Sequence, residues 1–342
     1  SPHNLFLPAF PGSANIATIG GVIANNSGGM YAVKYGVVGD WVMELEVVLA
    51  NGTIIRVGSK SIKSVSGYNL KNLFIGSSGT LGIITRATLR LLPTPQNKMA
   101  ALIAFPTIRS LNKTIMEILH SDIKPAALEH MDENYVALVN KAQQNMKLEE
   151  LNTILVELHG EKNTLLMQLD KIRDIAKKSK VASFQTFTTE EECAKLWGCR
   201  KGIRLAFYNI DPNTGILSAE AGVPLKFVPE FIKKVKDLQI EYGVQMLNHG
   251  HVGDGNFHAW ALYDLNDRSS LERAKAINDK LTHFAISVGG TATGEHGLGI
   301  DKKKFLEIEH PTSLPIMKSI KNLLDENGIL NPGKILSNEI PL

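Results

Sequence analysis

Residues 250 to 258 read GHVGDGNFH, and this stretch constrains the fold more than any other. An Asp-Gly pair between strand-like runs is the strongest short hairpin signal, because a type I′ turn needs positive φ at both central residues. A turn centred on Asp254 and Gly255 predicts, by register arithmetic, that His251 and His258 stand directly opposite each other. Directly opposed residues have Cβ atoms about 5 Å apart, close enough for two imidazoles to share a metal ion at roughly 2.0 to 2.1 Å. Glu295, in the TGEHG loop after the helix that follows the hairpin, offers a third ligand. Two histidines and one carboxylate leave coordination positions open, the pattern of a catalytic site rather than a closed structural one. His249 falls beside this site rather than among the ligands. His296, next to Glu295, would be held beside whatever the metal binds, where an imidazole suits general-base work.

Further upstream, Thr189 and Glu192 form a capping box that opens a predicted helix. It carries Cys193, Trp197, Arg200 and Arg204 on one face at helical spacing. An arginine fork binds a carboxylate bidentately, so Arg200 and Arg204 are candidate receptors for an acidic substrate. Three glycine-rich stretches, GGVIANNSGG (20 to 29), GSSGTLGIIT (76 to 85) and GGTATGEHGLG (289 to 299), let backbone approach a ligand closely. None fits the dinucleotide fingerprint or the P-loop spacing.

The alternation of elements predicts an α+β architecture, with helices on one side of a mixed sheet. Strands are expected at 42 to 49, 53 to 57, 100 to 105, 153 to 159, 216 to 223, 244 to 251 and 257 to 263. Helices are expected at 107 to 120, 161 to 178, 227 to 242, 268 to 287 and 312 to 328. A length of 342 residues implies two or three domains, with a boundary at Pro93-Thr94-Pro95. A formal charge of +3 gives no case for nucleic acid, and Lys302, Lys303 and Lys304 read as a solvated face. Cys193 and Cys199 match neither a CxxC pair nor a zinc knuckle, which points to a reducing, cytoplasmic setting. No apolar run reaches membrane-spanning length. The opening residues do not resemble a signal peptide, and read as the interior of a longer protein on whose N-terminus a targeting segment could lie.

The combination of TIGGVIANNSGG, KYGVVGDWV (34 to 42), LEVVLANG, NLFIGSSGTLGIIT, GHVGDGNFH, GEHGLG and GILNPGK (328 to 334) resembles the FAD-linked oxidases of the vanillyl-alcohol oxidase type. Within them it is most similar to the group containing glycolate oxidase, D-lactate dehydrogenase and D-2-hydroxyglutarate dehydrogenase. The resemblance implies residues 1 to 97 as the second part of an FAD-binding domain, 98 to 310 as a substrate or cap domain with an antiparallel sheet, and 311 to 342 as a helix returning to the FAD domain. It implies FAD contacts at Ile19, Gly20, Gly21, Asn25, Gly28, Gly29, Gly79, Thr80, Gly82, Ile83 and Asn331. It further implies a divalent metal on His251, His258 and Glu295 (zinc first, manganese or iron as alternatives), His296 as base, and Arg200 as receptor for the substrate carboxylate, aided by Arg204. The implied activity is oxidation of a D-2-hydroxy acid to the 2-oxo acid, with hydride passing to flavin N5. An iron-sulfur subunit, electron-transfer flavoprotein or quinone would accept the electrons, and a homodimer or peripheral membrane association is compatible with the pattern.

Three departures stand out. The pyrophosphate-gripping N-terminal subdomain of the family is not in this sequence, Ser78 replaces the usual glutamate, and Ser218 stands where 2-hydroxyglutarate enzymes have lysine. The last favours a monocarboxylate such as lactate or glycolate. Two other readings remain open at this level: a metal-dependent hydrolase using the same His-His-Glu set, and a flavin-free remnant or subunit without activity.

Overall fold

The computed structural model describes residues 3–143, 147–200 and 203–336. It divides into two compact units, one formed by residues 1–94 and 292–342 and the other by residues 95–291. The second unit therefore ends at residue 291, short of the expected 310. Ala292 is the first residue held by the other unit's contacts: its N–H donates to Glu309 and its carbonyl accepts from Lys302.

The first unit opens with β1 (Leu5–Phe6), α1 (Ile19–Asn25), α2 (Ala32–Tyr35), β2 (Val42–Val48), β3 (Ile54–Gly58), α3 (Lys71–Phe74), β4 (Ile83–Leu89) and β5 (Leu92–Pro93). Strands β3, β2 and β4 form an antiparallel sheet in that order. Val42, Leu45 and Val47 of β2, the first two separated across a register shift, and Val57 of β3 are buried in a core with Ile23, Trp41 and Phe74.

The second unit runs β6 (Asn97–Phe105), α4 (Ile108–His120), β7 (Ala127–Met131), α5 (Glu133–Ala142), β8 (Asn152–Gly160), α6 (Lys162–Lys178), β9 (Ser183–Phe187), α7 (Glu190–Gly198), α8 (Ile203–Ile210), β10 (Thr214–Gly222), α9 (Val228–Tyr242), β11 (Met246–His251), β12 (Asn256–Asp264) and α10 (Arg268–Ser287). The first unit then resumes with α11 (Lys303–Glu309) and α12 (Leu314–Leu324). Among the described residues no helix is long and apolar enough to cross a membrane.

The large sheet has the order β10-β12-β11-β7-β8-β6-β9, and every pair is antiparallel rather than mixed. Its two faces differ because side chains alternate along each strand. One face presents Ala219 and Ala221, Phe257, Ala259 and Ala261, Met246, Leu128, Ile154, Val156 and Leu158, and the odd positions Met99 to Phe105. Four amphipathic helices cover it, with Leu111, Ile115 and Ile118 of α4, Leu165, Leu169 and Ile172 of α6, Phe231, Val235 and Leu238 of α9, and Ala274, Ile277 and Leu281 of α10. Phe231 stacks on Phe257 with ring centroids 4.5 Å apart. The spacing of i, i+4 and i+7 in α4, α6 and α9, and of i, i+3 and i+7 in α10, gives each helix one apolar stripe, and burial of these stripes holds the unit together.

His130 is a polar residue on the helix-covered face. It is fully buried beside Asn152 (3.4 Å), and burial pushes its pKa down to about 4. The unfolded chain titrates near 6.5 and so binds the extra proton first. Stability is therefore lost as pH falls from about 6.5 toward 4, by on the order of 3 kcal/mol in full. Urea unfolding at pH 7 and pH 5 should show a smaller pH penalty for His130→Gln than for the parent protein; an equal penalty would acquit His130.

Candidate functional site

The opposite face of the large sheet is polar and still buried. It carries Glu129, Glu157, His159, Glu220, His249, His251, Asn256 and His258, all below 9% exposed. Burying so many ionisable groups costs free energy unless they are paired or hold a ligand, which makes this face the candidate site.

The hairpin between β11 and β12 differs from the expected register. His258 pairs with His249, and His251 pairs with Asn256, a slip of two residues. The turn is wider than type I′: the His251 carbonyl accepts from both Asp254 N (3.1 Å) and Gly255 N (3.0 Å), and only Gly255 of the Asp-Gly pair has positive φ (81°). Gly255 is also required sterically, since a Cβ there would stand 2.1 Å from the Val223 carbonyl. A two-residue slip preserves the face on which each side chain lies. His251 and His258 thus remain neighbours, now diagonally, with Nε2 atoms 3.4 Å apart and rings at 86°.

Glu129, on β7, lies beside β11 and places one oxygen 2.5 Å from His251 Nδ1. Its other oxygen is 3.3 Å from Arg200 Nη2. Arg200 is also 3.4 Å from the Tyr135 hydroxyl, and Tyr135 stacks against His249 at 4.3 Å. His249 is thus packed directly against His258 (5.4 Å) rather than loosely beside the pair. Burial and the Arg200 charge hold the His249 pKa well below the usual imidazole value, so the ring is neutral.

Arg200 and Arg204 do not share one helix with Trp197. Helix α7 ends at Gly198 with Cys199 as its cap, and α8 begins at Ile203; the residues between Arg200 and Ile203 lie outside the described ones. The capping box of Thr189 and Glu192 forms as expected. Trp197 Nε1 donates to Glu157, whose other oxygen is 2.6 Å from His159 Nε2, which pins the end of α7 to the sheet. Arg204 is exposed, and its guanidinium lies 5.9 Å from the ring of Trp260 on β12.

In the first unit, four of the sequence motifs meet. Gly76 N donates to the Ile23 carbonyl (3.1 Å) and Ser78 N to that of Ala24 (2.7 Å). The amide of Asn331 donates to the Ser78 carbonyl (2.5 Å), and that of Asn25 to the Glu295 carbonyl (2.6 Å). Lys321 fixes the surroundings by bridging the Thr80 and Leu330 carbonyls (2.8 and 3.0 Å) to Asp325. His296 Nε2 lies 3.5 Å from the Glu295 carboxylate, half exposed, while Glu295 is largely covered.

The expected cofactor residues fall into two groups. A Cβ on Gly29 would stand 2.1 Å from the Phe10 carbonyl, so internal packing already demands glycine there. Gly82 is likewise pressed against Val47 and Phe74, and the Thr80 hydroxyl is spent on the Ser77 carbonyl (2.7 Å). Ile19 and Ile83, in contrast, expose 51% and 57% of their surface, and a Cβ on Gly20 or Gly79 would meet only ordinary contacts, at 3.6 and 4.0 Å. Side-chain-free backbone flanked by uncovered isoleucines and the Asn25 and Asn331 amides fits a flat, partly apolar ring system with polar edges, as a flavin is.

The sequence comparisons agree. A model of FAD linked oxidases, C-terminal domain, matches residues 94–335, and one of an FAD binding domain matches residues 1–58. The chain belongs to the FAD-linked oxidases. Among curated relatives of this oxidase, the glycolate oxidase subunit GlcD of Bacillus subtilis is 37% identical over 98% of this chain and 71% of its own length. The D-lactate dehydrogenase of Archaeoglobus fulgidus is 35% identical over 98% and 73%, and the mitochondrial D-lactate dehydrogenase [cytochrome] of Arabidopsis thaliana 36% identical over 98% and 59%. The oxidase thus spans roughly three-fifths to three-quarters of the length of these relatives. Its fold is of the vanillyl-alcohol oxidase type: p-cresol methylhydroxylase superposes with a TM-score of 0.73 at 16% identity, over 97% of this chain and 71% of that one. The 4-ethylphenol oxidase of Gulosibacter chungangensis gives 0.70 at 18%, over 93% and 69%.

Sequence reasoning missed Glu129, Tyr135 and Glu157. The only signal was an acidic residue within an otherwise apolar run, as in Ala126-Ala127-Leu128-Glu129, where a buried charge demands a partner that the local sequence does not name.

Proposed function

We propose that this FAD-linked oxidase carries out metal-assisted oxidation of a D-2-hydroxy acid with a single carboxylate, such as lactate or glycolate, to the 2-oxo acid. The observation that carries the reading is the 3.4 Å separation of the His251 and His258 Nε2 atoms. Two ligands on a tetrahedral ion at 2.0 to 2.1 Å stand about 3.3 Å apart. The donor set of two imidazoles thus fits a divalent metal, with Asn256 Oδ1 nearby as a buried acceptor without a hydrogen-bond partner among the described residues.

Glu295 is the proposed third ligand. Thr291 is bridged to Gly222 by two backbone hydrogen bonds (2.8 and 3.1 Å), and Gly222 pairs with Asn256, the partner of His251. Glu295 follows Thr291 by four residues, and its carboxylate supplies the oxygen donor that two imidazoles leave wanting.

When bound, the flavin supplies the hydride acceptor and the metal a Lewis acid that acidifies the C2 hydroxyl. Arg200 receives the substrate carboxylate, with Arg204 a second cation beside it. His296 takes the proton from the C2 hydroxyl. Ser218 stands where the 2-hydroxyglutarate enzymes carry a lysine, and the loss of that cation supports the monocarboxylate preference. Electrons leave to an iron-sulfur subunit, electron-transfer flavoprotein or quinone.

Anaerobic mixing of the flavin-loaded protein with D-lactate, glycolate and D-2-hydroxyglutarate in turn tests the reading. Bleaching of the visible flavin band is expected with the monocarboxylates. Equal bleaching by the dicarboxylate would remove the role given to Ser218, and no bleaching by any of them would remove the reading.

A further inference from the structure

We infer that Glu129 is a positioning residue that couples the metal ligand His251 to the substrate receptor Arg200; this rests on the proposed metal site. Glu129 sits wholly buried in the middle of β7, with 0% exposure. A carboxylate in such a place is tolerated only where neighbouring groups offset its charge. Both neighbours belong to the proposed chemistry: Oε1 is hydrogen-bonded to His251 Nδ1 at 2.5 Å, and Oε2, without a hydrogen bond among the described residues, is ion-paired with Arg200 Nη2 at 3.3 Å.

The consequence for His251 is directional. A carboxylate at Nδ1 fixes the proton there, so the lone pair is left on Nε2 and the ring is held in one orientation. That Nε2 is the atom 3.4 Å from His258 Nε2. Two nitrogen atoms facing each other across that gap are suited to receive a cation. A histidine oriented by a carboxylate is also a more basic ligand.

The consequence for Arg200 is placement. Its guanidinium is tied to Glu129 on one side and the Tyr135 hydroxyl on the other (3.4 Å), with 13% of the side chain exposed. These contacts fix its distance from His251. A substrate whose carboxylate and C2 hydroxyl are one carbon apart needs that fixed distance. Glu129 thus sets the spacing between the two anchoring points of a 2-hydroxy acid.

The test is Glu129→Gln, which keeps shape and removes charge. Titration of metal-stripped protein with Co²⁺ or Zn²⁺ by calorimetry, without flavin turnover, should show about 10- to 100-fold weaker binding than the parent. The KM for D-lactate should rise through the loosened Arg200, and an unchanged melting temperature would separate this from unfolding. If the parent takes up metal and the variant takes it up equally well, the positioning role is overturned. If the parent itself takes up none, the metal reading fails and the inference with it. Should the variant not fold, histidine ¹⁵N spectra of the parent decide: a proton on His251 Nδ1 and none on Nε2 is expected, and the reverse tautomer would overturn the proposal.

Discussion

Replacing His296 by alanine is expected to slow flavin reduction by roughly 10² to 10⁴, the usual worth of a positioned general base, with little change in stability. The side chain is half exposed and lies 3.5 Å from the adjacent Glu295 carboxylate. The Asn25 amide on the Glu295 carbonyl ties the loop down through the backbone, a contact that alanine at 296 leaves in place. The loop is therefore expected to keep its course without the imidazole. A proton-accepting role is lost with it, because the C2 hydroxyl must give up its proton as hydride leaves carbon. Stopped-flow reduction with D-lactate reads the step directly; a parental rate in His296→Ala would take this residue out of the mechanism.

A second large effect is expected at His258. Alanine there would remove one of the two proposed nitrogen ligands, and a Lewis acid contributes several kcal/mol to the stabilisation of a developing alkoxide. At about 1.4 kcal/mol per factor of ten, the oxidation rate should fall by about 10³ or more, and the isolated protein should lose its bound metal. Glu220 pairs with position 258 across β10 and β12, and the Phe257 and Ala259 packing on the opposite face is untouched, so the sheet should survive. Elemental analysis of the folded variant checks the claim: metal retained at the parental ratio would show that His258 is not a ligand.

Some levels of this molecule are legible in its sequence and others are concealed. Helical stripes such as Leu111, Ile115 and Ile118 announce α4 because they repeat on one face, and the structure buries all three. The His251–His258 partnership is legible too, although its register is not. Asp-Gly reads as a two-residue turn, whereas the His251 carbonyl gathers two N–H groups and widens the loop. Hydrogen bonds of that kind depend on the chain's return past Leu128 and Val223, whose carbonyls and amides fasten the turn. Strand β7, short and bearing Glu129 and His130, offers no clear alternation, so periodicity does not find it. Its glutamate makes sense only beside His251 and Arg200, which are remote in the chain. The single helix expected through Arg204 breaks after Gly198, a weak helix former whose effect one arginine-bearing face does not outweigh.

The even-numbered slip in the β11–β12 hairpin has a consequence for how this segment can vary among descendants. Lengthening or shortening the connection between His251 and His258 by two residues would keep both imidazoles on the polar side of the sheet. Loss of a single residue there would swing His258 into the space under α9 and α10 and bring Phe257 or Ala259 out in its place. Drift in this loop is therefore filtered by parity before it is filtered by residue type.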